Sequence, residues 1–508
     1  MNLYRGVYAQ ADAQFLPFPD NYFHSVMTSP PYFGLRAYSG GDLQRRIWGG
    51  RRDCAHEWEH GEQRMQTGGI SPKQLSNRGV TGLGWSSTYG NCRKCGAFYG
   101  ELGLEPTPKR HIENLRLVGM EIMRVLRPDG VFWFNYGDTY AGSYSEYESG
   151  MRLMMPHRIA QAFIEDGWIL RDDAIWWKEN PMPNPVTGWR WVRHKIKTKD
   201  AKLDWRQEAI RKDGVLEGPA HVSGGNTGFR PKAERAEWKS CPGCEKCKQY
   251  GGYILKQGSW RHTDAYENIF QFVKKMQYFC DQELVRDEYT EPLDRWGGDQ
   301  KSLDDHLKGG SENPYAKAHR ERDMRPYPGG KNPRNVFHLP TSSYSGKHFA
   351  VYPEALIEPL IKASVPRHTC PICGTGWAPV IDNEEEVQAR FSASASGPYR
   401  ERTTQKVNQL LGYRPTCEHY PDKPPDDLPF WTNGAIETLP ESLIPIPGVV
   451  LDPFGGSGTT AKVAKSLMRR WVVIDVGFEY IDQQVKLRTG QGSPSTALDG
   501  LPMFDNDE

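Results

Sequence analysis

An apolar run, a glycine-rich loop and a second apolar run ending in an acid constrain this chain more than any other feature. Val449-Val450-Leu451 leads into Asp452-Pro453-Phe454-Gly455-Gly456-Ser457-Gly458-Thr459-Thr460. Ala461 to Leu467 then has helical character, and Trp471-Val472-Val473-Ile474 ends in Asp475. Strand, glycine turn, helix and strand make the first unit of a nucleotide-binding sheet. Glycines let backbone approach a ligand, and the helix N-terminus offers free N–H groups. Asp475 stands near the spacing of about 20 residues at which an acid takes ribose hydroxyls. The loop is not GxGxxG and no GK[ST] follows it, so a nucleoside suits it better than a dinucleotide or a triphosphate. Taken alone, it is equally a tight turn.

The same alternation occurs near the N-terminus. Val26-Met27 reads as a short strand ended by Pro30-Pro31, because neither proline donates to a ladder. Ile112 to Leu126 has apolar residues at helical spacing (Leu115, Val118, Ile122, Val125). Arg127-Pro128-Asp129-Gly130 reads as a turn and Val131 to Phe134 as a buried strand. Ile159 to Phe163 lies in a helix broken at Gly167, Trp168 to Trp177 in a strand, and Tyr352 to Ala363 in a helix. Helix, turn and strand in this order predict an α/β doubly wound sheet.

Its 508 residues suffice for two or three domains, but only 37% are hydrophobic, with 38 prolines and 52 glycines. Long polar inserts around an ordinary core account for that. No apolar run is long enough to span a membrane, and Met1 to Gln10 lacks a signal-peptide pattern. A soluble, cytoplasmic protein with no membrane partner is expected. The net charge of +1 favours no partner, but Trp189 to Lys212 is locally basic. Arg190, Arg193, Lys195 and Lys197 are interleaved there with tryptophans, which suits phosphate contact. A solvated helical face is the plainer reading of the same run.

Thr28-Ser29-Pro30-Pro31-Tyr32 poses a chemical question. The lone pair of an exocyclic base amine is delocalised into the ring, so an enzyme that alkylates it must accept its hydrogens and turn the nitrogen. Ser29 offers a hydroxyl acceptor and Pro30 a carbonyl. The two prolines fix the backbone at little entropic cost. Tyr32 or Phe33 offers a ring for an extruded base. A proline turn at a strand end looks the same in isolation.

The two loops together resemble the S-adenosylmethionine-dependent amino-methyltransferases of DNA. With the amine loop first and the cofactor loop last, the chain is similar to the beta class of that family. Further segments carry the resemblance: Arg124 to Gly130 with Asn135-Tyr136-Gly137-Asp138; Gly167 to Arg171 with Ile175 to Pro183; Tyr266-Glu267-Asn268-Ile269-Phe270 with Tyr278-Phe279; and His348-Phe349-Ala350-Val351-Tyr352-Pro353. The resemblance implies a Rossmann-like methyltransferase sheet in circularly permuted motif order, with an inserted target-recognition region and zinc-binding inserts. The expected layout is a catalytic half (1–178, with an insert at 40–100), a recognition region (179–345, with a cysteine cluster at 241–247), a cofactor half (346–489, with a zinc-ribbon insert at 368–427) and a disordered tail (490–508).

Carried over residue by residue, the resemblance implies an amine pocket of Ser29, Pro30, Pro31 and Tyr32. It implies S-adenosylmethionine held by Asp12, Thr28, Asp452, Phe454, Gly456, Gly458, Thr459 and Asp475, with His348, Phe349 and Pro353 closing the site. Ala11 departs from the glycine that usually precedes the acid at Asp12. Serine at position 29, where adenine-specific members usually carry Asp, is similar to cytosine-N4 enzymes. Adenine N6 is the alternative, and an inactive, zinc-rich DNA-binding protein a second one.

Nine of ten cysteines fall in short clusters, which in a reducing compartment indicates metal rather than disulfides. Cys54-x-His56 with Cys92-x-x-Cys95, and Cys370-x-x-Cys373 with Cys417-x-His419, each offer four zinc-type ligands. Cys241, Cys244 and Cys247 offer three, with Cys280 or His262 as a fourth. The expected partners are double-stranded DNA and a cognate restriction endonuclease. Gly500 to Phe504 loosely resembles a peptide that docks on the sliding clamp.

Overall fold

The computed structural model describes residues 6–34, 45–64, 86–142, 146–181, 188–199, 237–287, 330–341, 352–394 and 397–490. They divide into two compact units. The first is Met1–Glu179, Tyr266–Tyr344 and Ala350–Glu508, and the second is Asn180–Ala265 with Ser345–Phe349.

The first unit is built on an eight-stranded sheet. Its strands are β1 (Val7–Gln10), β2 (Phe23–Thr28), β3 (Leu126–Tyr136), β4 (Ile169–Lys178), β5 (Tyr266–Val273), β6 (Val336–Leu339), β7 (Val449–Asp452) and β8 (Arg470–Asp475). Their spatial order is β1-β8-β7-β2-β3-β5-β4-β6. Every pairing is parallel except those of β5, which runs antiparallel to both neighbours. Five helices accompany the sheet: α1 (Pro108–Val125), α2 (Met155–Glu165), α3 (Glu354–Ser364), α4 (Thr459–Ser466) and α5 (Phe478–Thr489).

Strand side chains alternate between faces, and β3 serves two cores in this way. Phe132, Phe134 and Tyr136 pack with Leu115, Val118 and Ile122 of α1 and Ile159 and Phe163 of α2. Val131 and Trp133 pack instead with Leu356, Ile357 and Leu360 of α3. Helices therefore cover both faces, which explains why these strands read as continuous apolar runs. Thr107 begins α1 by accepting from the Arg110 N–H, with proline at the first helical position.

The expected turn at Arg127–Gly130 is present as a bulge within β3. The register jumps from Phe23↔Leu126 to Ser25↔Val131, so the extra residues loop out of the ladder. The second unit is narrower than the anticipated 179–345 recognition region. Residues from Tyr266 belong to the first unit, because β5 lies between β3 and β4 and buries Phe270 and Phe272 in its core.

The first insert forms an antiparallel sheet of Arg46–Trp48, Phe98–Gly100, Ser86–Cys92 and Trp58–Arg64, in that order. The second carries a hairpin, Ala378–Ser394 with Gly397–Arg414, over a small core of Cys370, Trp377, Tyr413, Tyr420 and Trp431. It is tied to the sheet. His24 Nε2 lies 2.8 Å from the Gly374 carbonyl, and Arg127 donates to the Cys373 carbonyl at 3.0 Å. Since Val449 N–H donates to His24 Nδ1, the ring is neutral with its proton on Nε2. Burial, reinforced by Arg127, pushes its pKa down to about 3. In the second unit, Arg190–Arg193 pairs with Tyr253–Lys256, and Lys195–Lys199 with Glu237–Ser240. Among the described residues, no helix is long and apolar enough to cross a membrane.

Candidate active site and metal centres

The proline loop and the glycine loop leave the same ends of two adjacent parallel strands, β2 and β7. Crevices beyond strand C-terminal ends are where open α/β sheets bind ligands. The Thr28 hydroxyl donates to Asp452 Oδ1 at 3.0 Å, and Phe454 N–H donates to the same oxygen at 3.1 Å. Asp452 Oδ2 accepts from Tyr352 at 2.9 Å and Thr460 at 2.7 Å. Thr28 and Asp452 are both buried, and four donors surround the carboxylate, so the pair fastens the two loops together. Burial pushes the Asp452 pKa up against those donors.

The glycine loop folds toward the end of β8. Gly456 N–H donates to Asp475 Oδ2 at 3.1 Å and Gly477 N–H to Oδ1 at 3.0 Å. Each carboxylate oxygen retains a lone pair, and Asp475 is only partly buried, so it fits a ribose diol. Desolvation raises its pKa. Gly458 starts α4 in the left-handed region (φ +74°), and no side chain caps the helix. A Cβ there would sit 2.9 Å from Val485 Cγ2, so only glycine makes this turn.

Asp12 follows β1, whose Gln10 pairs with Asp475, and it accepts from Gln14 N–H at 2.9 Å. It thus lies two residues beyond the strand position that pairs with Asp475. Thr459 is buried and accepts from Arg488 at 2.7 Å, so its hydroxyl is committed within the protein. Pro353 caps α3. His348 and Phe349 lie outside the described residues, as does the tail from position 491.

At the amine loop, the Ser29 hydroxyl donates to Tyr32 Oη at 3.0 Å, and Tyr32 donates to Glu267 Oε2 at 2.7 Å. Asn135 Nδ2 donates to both acceptors, at 2.8 and 2.9 Å. Lys178 pairs with Glu267 Oε1. Asn135 Oδ1 is buried without a hydrogen-bond partner. Tyr32 is partly exposed, whereas Phe33 is only 2% exposed and packs on His111, so only Tyr32 is placed to stack on a base. A buried chain holds the loop from behind. Phe33 N–H donates to Tyr136 Oη at 2.7 Å, Tyr136 meets His111 Nε2 at 2.6 Å, and His111 Nδ1 meets Glu105 at 2.8 Å.

Sequence reasoning missed Glu267, Asn135 and Lys178 as site residues. All three stand in segments that carried the family resemblance, but nothing local singles them out. Only the β4-β5-β3 pairing brings them to Tyr32.

The cysteines gather as three four-ligand groups: Cys54, His56, Cys92 and Cys95; His194, Cys241, Cys244 and Cys247; and Cys370, Cys373, Cys417 and His419. Within each group the ligand atoms lie within 4.8 Å of one another. Tetrahedral zinc, with Zn–S about 2.3 Å and Zn–N about 2.0 Å, requires S···S near 3.8 Å and S···N near 3.5 Å. The observed separations are 3.9 Å for Cys54–Cys92 and 3.8 Å for Cys244–Cys247. Sulfur to Nδ1 is 3.4 Å for Cys95–His56 and Cys244–His194, and 3.7 Å for Cys370–His419. His194 completes the middle group in place of Cys280 or His262. Burial opposes ionisation of Cys373, but the Thr375 hydroxyl and N–H outweigh it and bring its pKa to about 6.

Arg190, Arg193 and Lys195 are exposed on the paired strands of the second unit, and Lys197 follows on the same strand as Lys195. Trp189, Trp191 and Trp238 are exposed with them. The plainer helical reading is replaced by two β-ribbons.

The profile of the DNA methylase family, which groups N6 and N4 enzymes, matches residues 23–369 and 436–486. The chain is 24% identical over 401 residues to the type II methyltransferase M.SfiI of Streptomyces fimbriatus, covering 70% of this chain and 80% of that protein. It is 40% identical over 89 residues to M.MwoI of Methanothermobacter wolfeii, covering 18% of this chain and 13% of that one. A solved structure of the cytosine-N4-specific PvuII DNA methyltransferase aligns with 97% of this chain and 88% of its own, at a TM-score of 0.37 and 14% identity. With its family profile matched across both halves of the sheet, the chain belongs to the DNA methylase family of N6 and N4 amino-methyltransferases.

Proposed function

We propose that the protein transfers a methyl group from S-adenosylmethionine to the N4 amine of a cytosine extruded from duplex DNA at a specific sequence. The observation that carries this reading is the direction of the Ser29 hydrogen bond. Its proton points to Tyr32, so its lone pairs remain to accept an amine hydrogen beside the Pro30 carbonyl. Serine rather than a carboxylate at this position favours cytosine over adenine, by the resemblance to cytosine-N4 enzymes. When bound, the cofactor supplies an electrophilic methyl on a sulfonium. The chain's own residues orient the reactants: Asp475 and Asp12 at the nucleoside end, Gly456 and Gly458 beneath it, and Tyr32 against the base.

The three four-ligand groups suit structural zinc, because four protein ligands leave no open position for chemistry. The basic ribbons with Arg190, Arg193, Lys195 and Lys197 suit contact with DNA phosphates. The type II names of the relatives support a cognate restriction endonuclease as a partner.

The test is incubation with labelled cofactor and varied duplexes, then digestion and nucleoside chromatography. N4-methylcytosine is the expected product. N6-methyladenine would overturn the base assignment, and no transferred label on any duplex would overturn the whole reading.

A further inference from the structure

We propose that Glu267 is the terminal proton acceptor of the methyl transfer, reached from the substrate amine through Ser29 and Tyr32. This rests on the amino-methyltransferase reading and assigns the reaction's proton a route.

The route is a directed chain. Ser29 Oγ–H donates to Tyr32 Oη at 3.0 Å, and Tyr32 Oη–H donates to Glu267 Oε2 at 2.7 Å. Asn135 Nδ2 donates to both Tyr32 Oη and Glu267 Oε2, which fixes the polarity, since neither oxygen can turn its lone pair elsewhere without losing that bond. Lys178 holds the other carboxylate oxygen. The Glu267 side chain is 12% exposed and that of Lys178 21%, so the chain ends inside the protein. Packing fixes it as well. A Cβ on Gly137 would fall 2.9 Å from Tyr32 Cε2 and 3.3 Å from Glu267 Cγ, so Tyr32 and Glu267 are seated against that backbone.

The chemistry requires such an acceptor. The amine nitrogen forms its N–CH3 bond as the S–CH3 bond of the sulfonium donor breaks, and the electron pair of that bond stays on sulfur. The nitrogen then carries a positive charge and a surplus proton. That proton passes to Ser29 Oγ, the Ser29 proton to Tyr32 Oη, and the Tyr32 proton to Glu267 Oε2. The products are neutral methylated base, neutral thioether and protonated Glu267, with both hydroxyls restored. The cationic amine is a far stronger acid than a carboxylic acid, because losing the proton restores its conjugation with the ring. Transfer from the amine to a carboxylate is therefore downhill. Glu267 acts through Ser29 and Tyr32 and is a positioning residue, not one that touches the substrate.

The experiment compares wild type, Glu267→Gln, Glu267→Asp and Tyr32→Phe in single-turnover methyl transfer, with cofactor affinity measured by calorimetry. Glu267→Gln is expected to keep cofactor and DNA affinity within about twofold while the rate falls roughly 100-fold, within the usual span of general acid–base effects. Glu267→Asp should recover part of the rate. Tyr32→Phe leaves the Lys178 pair intact, and so serves where Glu267→Gln fails to fold. It should show the same loss, and the double variant should be no slower than either single one. Independently of rate, a protonated-carboxyl infrared band should rise with methyl transfer in wild type and be absent from Glu267→Gln. A wild-type rate in Glu267→Gln or Tyr32→Phe, or no such band, overturns the relay. A wild type that methylates no DNA overturns the relay together with the functional reading.

Discussion

The Thr28 hydroxyl donates to Asp452 Oδ1 across 3.0 Å, although 424 positions separate the two residues. One lies at the end of β2, directly before the serine of the amine loop, and the other at the end of β7, directly before the glycine loop. This bond fixes the proline loop relative to the glycine loop, so two short loops far apart in the chain are held together by one buried carboxylate.

Removing that carboxylate should cost much of the fold's stability. Asp452→Ala leaves the Thr28, Tyr352 and Thr460 hydroxyls and the Phe454 N–H without their acceptor in a buried place. At about 1–3 kcal/mol for each unsatisfied group, with some relief from hydroxyl rotation, a loss of roughly 3–5 kcal/mol is expected in urea unfolding. Asp452→Asn keeps one acceptor, and the neighbouring hydroxyls can turn to accept its amide, so a loss under about 2 kcal/mol is expected.

Wild type and Asp452→Asn should also differ in their response to pH. Burial raises the folded pKa of Asp452 above its unfolded value. Below the unfolded carboxylate range, near pH 3.9, both states are protonated and the group contributes fully. As pH rises, the unfolded chain ionises first, so wild-type stability falls until the higher folded pKa is passed and then levels off. Asparagine has no such term. The stability of Asp452→Asn relative to wild type should therefore improve as pH is raised from about 4. A constant difference across that range would contradict a raised pKa.

Metal content gives a third check. Purified protein should carry three zinc ions per chain, and His194→Ala should carry two, as should Cys370→Ser. The two losses should differ in effect. The Cys370 ribbon supplies the carbonyls that His24 and Arg127 engage from the sheet, at Gly374 and Cys373. Losing those bonds, at about 1 kcal/mol or more each, should lower the melting temperature of the sheet by roughly 5–10 °C. His194→Ala should leave cofactor affinity within about twofold, because Asp12, Gly456, Gly458 and Asp475 all belong to the first unit.

Much of this architecture is legible in the sequence, for identifiable reasons. The strands of the sheet carry their period in consecutive residues, so β7 and β8 read close to their observed limits, whereas α1 starts at Pro108 rather than Ile112 and β3 runs from Leu126 through the expected turn to Tyr136. Paired ligands such as Cys370 and Cys373 are separated by two residues and show themselves by spacing. His194 has no such signal. It joins Cys241, Cys244 and Cys247 only because the strands at Arg190–Arg193 and Lys195–Lys199 bracket it. Glu267 is invisible as a site residue for a similar reason, since β5 inserts antiparallel between β3 and β4. The bonds that Asp452 makes to Thr28 and Tyr352 are equally silent in the sequence, since 424 and 100 positions separate the partners.

The exposed ribbons should govern DNA affinity without governing chemistry. Replacing Arg190 and Arg193 together with alanine removes two candidate phosphate contacts. Affinity should fall about tenfold at moderate salt for all duplexes alike, and the slope of log K against log salt should shallow by roughly 2. Turnover at saturating DNA should stay within about twofold. A change in sequence preference instead would show that these side chains read bases.

Ser29 is where the reading of the site is most exposed to refutation. Its side chain is partly buried and makes one hydrogen bond, to Tyr32, so Ser29→Ala costs little stability. Cofactor affinity should stay within about twofold, because the nucleoside end lies at β8. What the variant loses is an acceptor for the amine hydrogen at the moment the nitrogen turns toward the methyl group. Removing one such preorganised partner typically costs about 100-fold or more in rate, and that loss should appear in kcat rather than KM. The Pro30 carbonyl remains, so the residual activity should fall on the same base as in wild type. A Ser29→Ala enzyme with full rate would mean that the hydroxyl does not receive the amine. The conjunction of the two loops would then have to work through the backbone of the proline pair alone.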